Sequence, residues 1–105
     1  MNIACLVGRL TKDPDLRTTS TGKSVCNFSI AVDRTFSDDT DFFDVVAWGK
    51  TGENTSTYMA KGSQVAVSGR LEQQTWEKDG QKRSKVVVVA ENVKFLDRRS
   101  DAEPF

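Results

Sequence analysis

The sequence predicts an all-β domain with one short helix: five strands closing as a Greek-key barrel, the helix lying between the third and fourth. Three observations predict it. Apolar and polar residues alternate in several separate runs, which is the two-residue period of half-buried strands. Turn chemistry falls between those runs. A single segment, residues 53–60, breaks the alternation and closes on a cation and a glycine. The 105 residues make one domain. A chain of that size buries roughly two-thirds of its unfolded surface, so it folds without a disulfide or a metal.

The elements follow in order. Ile3–Leu10 is the first strand, and the glycine and polar residues of Thr18–Lys23 mark a turn. Ser24–Phe36 is the second, with Cys26, Phe28, Ile30 and Val32 on one face and Asn27, Ser29 and Asp33 on the other. Ser37-Asp38-Asp39-Thr40 has hairpin chemistry and leads into a third strand, Asp41–Lys50. Glu53–Ala60 is the helix, with Lys61 in its last turn and Gly62 at the C′ position. Gln64–Trp76 and the apolar run Lys85–Leu96 are the last two strands, joined by a turn at Lys78-Asp79-Gly80. Asp-Gly between two strand patterns is a strong hairpin signal. The order β-β-β-α-β-β is that of the OB-fold, a barrel used for oligonucleotides and oligosaccharides. The rival, an SH3-type barrel, usually lacks a full helix at that point.

Composition narrows the function. No run of about 18 apolar residues is present to span a membrane, and Met1–Cys5 lacks the basic and apolar regions of a secretory signal. Cys5 and Cys26 sit among apolar residues, so both are expected as buried, reduced thiols of a cytoplasmic protein. Histidine is absent, which removes the commonest general base and leaves no zinc ligand set. No metal or other cofactor is expected. Formal net charge is zero, but residues 35–60 balance at −4 and the remainder at +4, so basic patches are possible.

Strand parity places the aromatics. In the third strand Phe43, Val45 and Ala47 share an apolar face, while Phe42, Asp44, Val46 and Trp48 share the other. Burying Asp44 unpaired would be costly, so its face is the solvated one. In the fourth strand Val65, Val67, Gly69 and Leu71 point inward, and Gln64, Ser68, Arg70, Glu72, Gln74 and Trp76 point outward. Phe42, Trp48 and Trp76 therefore stand beside solvent. Phe36 and Arg34 have inward parity and face out only if the strand bends. Solvent-facing rings among cations suit single-stranded nucleic acid, because every base offers a π-face to stack. No basic helix is present to read a duplex groove.

These residues give the chain a family resemblance. From Asn2 to about Leu96 it resembles the bacterial single-stranded DNA-binding proteins, which have an OB-fold. The matching segments are Leu6-Val7-Gly8-Arg9-Leu10, Asp13-Pro14-Asp15-Leu16-Arg17, Val45-Val46-Ala47-Trp48-Gly49-Lys50, and Tyr58–Val65; Gly69-Arg70-Leu71 followed by Trp76 completes the set. The resemblance implies four stacking positions, Phe36, Phe42, Trp48 and Trp76. It implies phosphate contacts from Arg17, Lys50, Lys61 and Arg83, to which placement adds Arg34 and Arg70. Ile3, Glu72 and Gln74 stand where some members carry a basic residue, which fits a chain that leans on stacking more than on phosphates.

The resemblance also implies a homotetramer, with a dimer as the fallback, in which the strand edge Ile3, Ala4, Cys5, Leu6 and Val7 pairs with another copy. It divides the chain into a barrel, 1–96, and a tail, 97–105. The tail ends in an acidic tip, Asp101, Glu103, Pro104 and Phe105, that in the family docks replication and repair proteins. There a long linker precedes the tip; here Asp97–Ser100 alone separate it from the barrel. The expected function is sequence-independent coating of single-stranded DNA in replication, recombination and repair, by a non-enzymatic protein of the cytoplasm. The sequence allows two other readings: an accessory module that bridges other proteins and touches DNA weakly, and a small barrel nuclease, which the lack of histidine and of a convergent carboxylate–arginine set disfavours.

Overall fold

Alternation decides which side chains fill the barrel, and the computed structural model, which describes residues 1–97, has the strands that alternation predicts. They are β1 (Ala4–Leu10), β2 (Asp15–Thr18), β3 (Ser24–Asp33), β4 (Thr40–Trp48), β5 (Gln64–Lys78) and β6 (Gln81–Phe95), with α1 (Gly49–Tyr58) between β4 and β5. The sheet runs β1-β5-β6-β4-β3-β2, and β1 also meets β3 at Arg9 and Leu10, which closes the ring. Among the described residues only β4 and β6 pair in parallel. This is the OB-fold, with the helix between the third and fourth of its five long strands. The short β2 is an addition: Asp15–Thr18 pairs with Ser24–Asn27, in four residues that show no alternation.

The barrel interior holds Cys26, Phe28 and Ile30 from β3, Val45 and Ala47 from β4, Val65 and Val67 from β5, and Val88 and Ala90 from β6. Leu10 and Met59 complete it, and Phe43 and Val32 pack against its margin. A register shift at Ser68/Gly69 turns β6 by one residue, so Val93 and Phe95 return to the core side after Ala90. A bulge of this kind lets one strand serve both the ring and a straight hairpin.

The last two strands run closer to their turn than expected, β5 to Lys78 and β6 from Gln81, and three other boundaries differ for local reasons. Strand β3 stops at Asp33, so Phe36 lies in the β3–β4 loop, where strand parity does not apply. Helix α1 begins at Gly49 rather than Glu53, because Gly49 adopts φ 62° and turns the chain straight out of β4 after Trp48. It ends at Tyr58, with Met59 already extended, so Gly62 belongs to the following turn, closed by Ser63 N–H to Ala60 O, and is not the helix C′ residue. The face of α1 that meets the barrel carries Gly52 and Thr55, with Met59 just beyond it. Contact there is close enough that a Cβ on residue 52 would strike the Ala47 carbonyl.

Three side chains also depart from their expected surroundings. Leu71 was expected inside and is half-exposed. At that point β5 outruns β1, and the Asn2 side-chain amide takes the place of a strand partner, donating to Leu71 O at 2.8 Å and accepting from Leu71 N–H at 2.9 Å. Beyond Leu71 the β5–β6 hairpin is an arm with no barrel beneath it. Val46 was expected in solvent and is buried, because Val87 and Val89 cover it in a second, small cluster on the outer face. Cys5 was expected buried and is exposed; only Cys26 is enclosed. Burial, and secondarily the charge of Asp15, pushes the Cys26 thiol up to about 11. It stays protonated and unreactive at neutral pH.

The expected interface strand divides in the same way. Ala4 and Leu6 pack against the core, whereas Ile3, Cys5 and Val7 face outward. On the side away from β5, the backbone of residues 4–8 has no strand partner among the described residues. No helix among them is long and apolar enough to cross a membrane. The expected tip residues, Asp101, Glu103, Pro104 and Phe105, lie outside the described residues.

Candidate nucleic-acid interface

Residues paired across neighbouring strands share a face, so the register assembles the site directly. On β4 the outward residues are Phe42, Asp44, Val46 and Trp48, paired with Ala31, Ser29, Asn27 and Val25 of β3. Val25 and Asn27 pair in turn with Arg17 and Asp15 of β2. On the other side Val46 meets Val89 of β6, and Val89 meets Arg70 of β5. Down the arm, Glu72 pairs with Val87, Gln74 with Lys85, and Trp76 with Arg83. Phe42, Trp48 and Trp76 therefore lie on one continuous outer face, together with Arg17, Arg70 and Arg83, around a floor of Val46, Val87 and Val89.

The rings are open to solvent. Phe42 is 67 % exposed, Trp48 47 % and Trp76 42 %, and Phe36, at the tip of the β3–β4 loop, is 99 % exposed. They are too far apart to share a base. Six residues of strand place Phe42 and Trp48 about 20 Å apart, and β6 puts Trp76 about 10 Å or more from β4. Each can hold a base of its own. A depression of about 310 Å³ lies between them, with Lys12, Asn27, Asp44, Gln74 and Lys85 around it and Val46 and Val87 at its base.

The arm owes its register to Asp79-Gly80. Both residues have positive φ, 54° and 77°, as a two-residue hairpin turn demands. That turn fixes Trp76 opposite Arg83 and Gln74 opposite Lys85. Lys85 was not among the expected site residues. Counting outward from Asp79-Gly80 would have placed it on the Trp76 face.

The cations fall into two groups. Arg17 is paired with Asp15 at 3.1 Å, and Arg70 with Glu91 at 3.3 Å and Glu72 at 3.7 Å. Lys85 is paired with Asp44 at 3.3 Å, and Arg34 holds Asp41 at 2.9 Å and Asp39 at 3.6 Å. Arg83, Lys50 and Lys61 have no ion pair among the described residues. Of these, Arg83 is on the shared face, Lys50 is in the first turn of α1 directly after Trp48, and Lys61 is in the turn that follows α1. Such surface pairs contribute little to stability, typically under about 1 kcal/mol each. They do mean that a phosphate must compete with a resident carboxylate. Among the described residues no group of three or more His, Cys, Asp or Glu side chains is placed to hold a metal ion.

Comparison with known proteins decides the family. Residues 1–96 match the model of the single-strand binding protein family. The chain belongs to that family. It is 47 % identical to the single-stranded DNA-binding protein of Treponema pallidum, over 91 % of this chain and 58 % of that protein. It is 50 % identical to the single-stranded DNA-binding protein of Clostridium tetani, over 92 % of this chain and 71 % of that one. Single-stranded DNA-binding protein 2 of Clostridium acetobutylicum is 46 % identical over 97 % of this chain and 81 % of its own length. The chain thus spans a little over half of the Treponema protein. Its OB-fold is the family's fold, and the family is not one of enzymes.

Proposed function

We propose that the chain binds single-stranded DNA without regard to sequence, by stacking bases on Phe36, Phe42, Trp48 and Trp76 along the outer face of the barrel and its arm. The observation that carries this reading is the gathering of Phe42, Trp48 and Trp76 with Arg17, Arg70, Arg83 and Lys85 on one sheet face. Stacking is sequence-tolerant and contributes roughly 1–3 kcal/mol per base. Rings spaced at 10–20 Å suit a flexible strand that touches the face at intervals, and a stiff duplex would keep its bases out of reach.

Phosphate contacts then come first from Arg83, Lys50 and Lys61, whose charges are free, and only at added cost from Arg17, Arg70 and Lys85. The reading extends to a coat for exposed strands in replication, recombination and repair, in the cytoplasm. Two further parts rest on sequence: assembly into a homotetramer through the unpaired edge of β1, and recruitment of other proteins by the tip Asp101, Glu103, Pro104 and Phe105. The free edge and the outward Ile3, Cys5 and Val7 support the first.

The test is fluorescence anisotropy of labelled oligo(dT) across a salt series, with a duplex of equal length beside it. The expected result is tight binding of the single strand and weak binding of the duplex. The salt dependence should be shallow: contacts from Arg83, Lys50 and Lys61 alone give a slope of log K against log salt of about −2. A preference for the duplex would overturn the reading. A slope of about −4 or steeper, equivalent to six cations, would show that cations beyond Arg83, Lys50 and Lys61 contact the phosphates.

A further inference from the structure

We infer that Arg34 is a positioning residue for Phe36, clamping the β3–β4 loop through Asp41, and does not serve as a phosphate contact; the inference rests on the single-stranded DNA reading and deepens it. Arg34 directly follows the end of β3, and Asp41 is the second residue of β4, so the pair closes the six-residue stretch 34–39 at its base. The guanidinium spends two nitrogens on one carboxylate: Nε donates to Asp41 Oδ2 at 3.0 Å and Nη2 to Asp41 Oδ1 at 2.9 Å. Its remaining terminal nitrogen stands 3.6 Å from Asp39 Oδ2.

Side-chain alternation puts this clamp on the wrong side for DNA. Asp41 has the parity of Phe43 and Val45, which face the core, and is opposite in parity to Phe42 and Trp48. A phosphate lying along the aromatic face would have to reach round the hairpin and then displace two carboxylates. Every other bond at the loop base also serves to hold its shape. Arg34 N–H donates to Asp39 O at 3.0 Å, Thr40 Oγ1 donates to Asp33 Oδ1 at 3.0 Å, and Asp39 N–H donates to Ser37 Oγ at 3.0 Å. Phe36 itself touches little, being almost wholly exposed, so nothing but the loop backbone fixes where its ring stands. A loop held in place loses less backbone freedom when a base stacks on the ring it carries, and that is how preorganisation adds affinity.

The two roles of Arg34 predict opposite signs for one substitution. With a clamp, Asp41→Asn breaks the fork and weakens oligo(dT) binding, by about three- to tenfold as part of one stacking contact. Arg34→Lys, which keeps the charge and loses the fork, weakens it by a similar factor. Both effects vanish in a Phe36→Ala background, and the salt slope is unchanged in both. With a phosphate contact, Asp41→Asn frees the cation and tightens binding, and Arg34→Met lowers the magnitude of the salt slope by about 0.7. Tighter binding by Asp41→Asn, or effects that persist without the Phe36 ring, overturns the clamp while leaving the wider reading intact. Failure of the unsubstituted protein to bind oligo(dT) at all overturns both. Far-UV circular dichroism of each variant confirms that the barrel is folded before it is compared.

Discussion

Replacing both tryptophans, Trp48→Ala with Trp76→Ala, is expected to cost about 2–6 kcal/mol of oligo(dT) binding, the sum of two stacking contacts. Even the low end is about a thirtyfold loss. The sum is expected to be additive because the rings stand on different strands with β6 between them, and sites separated by about 10 Å without shared partners couple weakly. Each single variant should therefore lose about half of the total in free energy. The slope of affinity against salt should stay where it was, because neither ring carries charge. Isothermal titration or anisotropy on the four members of the cycle reads all of this. A Trp76→Ala variant with unchanged affinity would remove the arm from the interface and leave β4 as its centre. Strong coupling between the two would mean that the rings meet on one base, contrary to their placement.

The second large effect separates stability from binding. Ile30 is fully buried in the barrel, and Ile30→Ala removes side-chain volume that Phe28, Val45 and their neighbours cannot refill. A loss of about 2–5 kcal/mol in unfolding free energy is expected, from the transfer of the missing methyl and methylene groups and from the cavity they leave. Ile30 lies on the opposite face of β3 from Asn27 and Ser29, which flank the proposed site. At a temperature where the variant remains folded, affinity for oligo(dT) should stay within about twofold of the parent, an energy change under about 0.5 kcal/mol. Urea unfolding gives the first quantity and a titration in buffer the second. A parallel fall in both would mean that the face yields when the core is loosened, and that the site is not carried on a rigid sheet.

Much of this fold is legible in the sequence because two-residue alternation is a strong constraint wherever one face is buried. Cys26, Phe28 and Ile30, like Phe43, Val45 and Ala47, could point one way only, and Asp44 fixed which way that was. The same reasoning found Phe42, Trp48 and Trp76. It failed where alternation stops carrying information. Leu71 has inward parity, but β5 has left the barrel by then, and a sequence does not show where a neighbouring strand ends. Val46 has outward parity, yet three valines from two strands cover one another on that face. Phe36 could not be placed because its neighbours bend out of the strand.

Electrostatic pairing was the least legible feature. Arg34, Arg70 and Arg17 read as free cations along the chain. The partner of Arg34 comes from turn closure, Asp41, and that of Arg70 from cross-strand approach, Glu91, whereas Arg17 takes Asp15 two residues back on its own strand. Lys85 and Asp44 are 41 residues apart and meet only because β4 and β6 lie side by side in the sheet. The neutral net charge thus has a structural form: an aromatic face whose cations are largely held by the protein's own acids.

On the proposed reading, bases of a single strand stack on Trp48 and Trp76, the two tryptophans of the chain. Tryptophan emission during titration with oligo(dT) at low salt tests it most directly. Saturable quenching is expected, retained in part by each single variant and absent when a duplex of the same length is added instead. Emission that stays unchanged while anisotropy shows the oligonucleotide bound would contradict it, because the strand would then be held without contact to either ring.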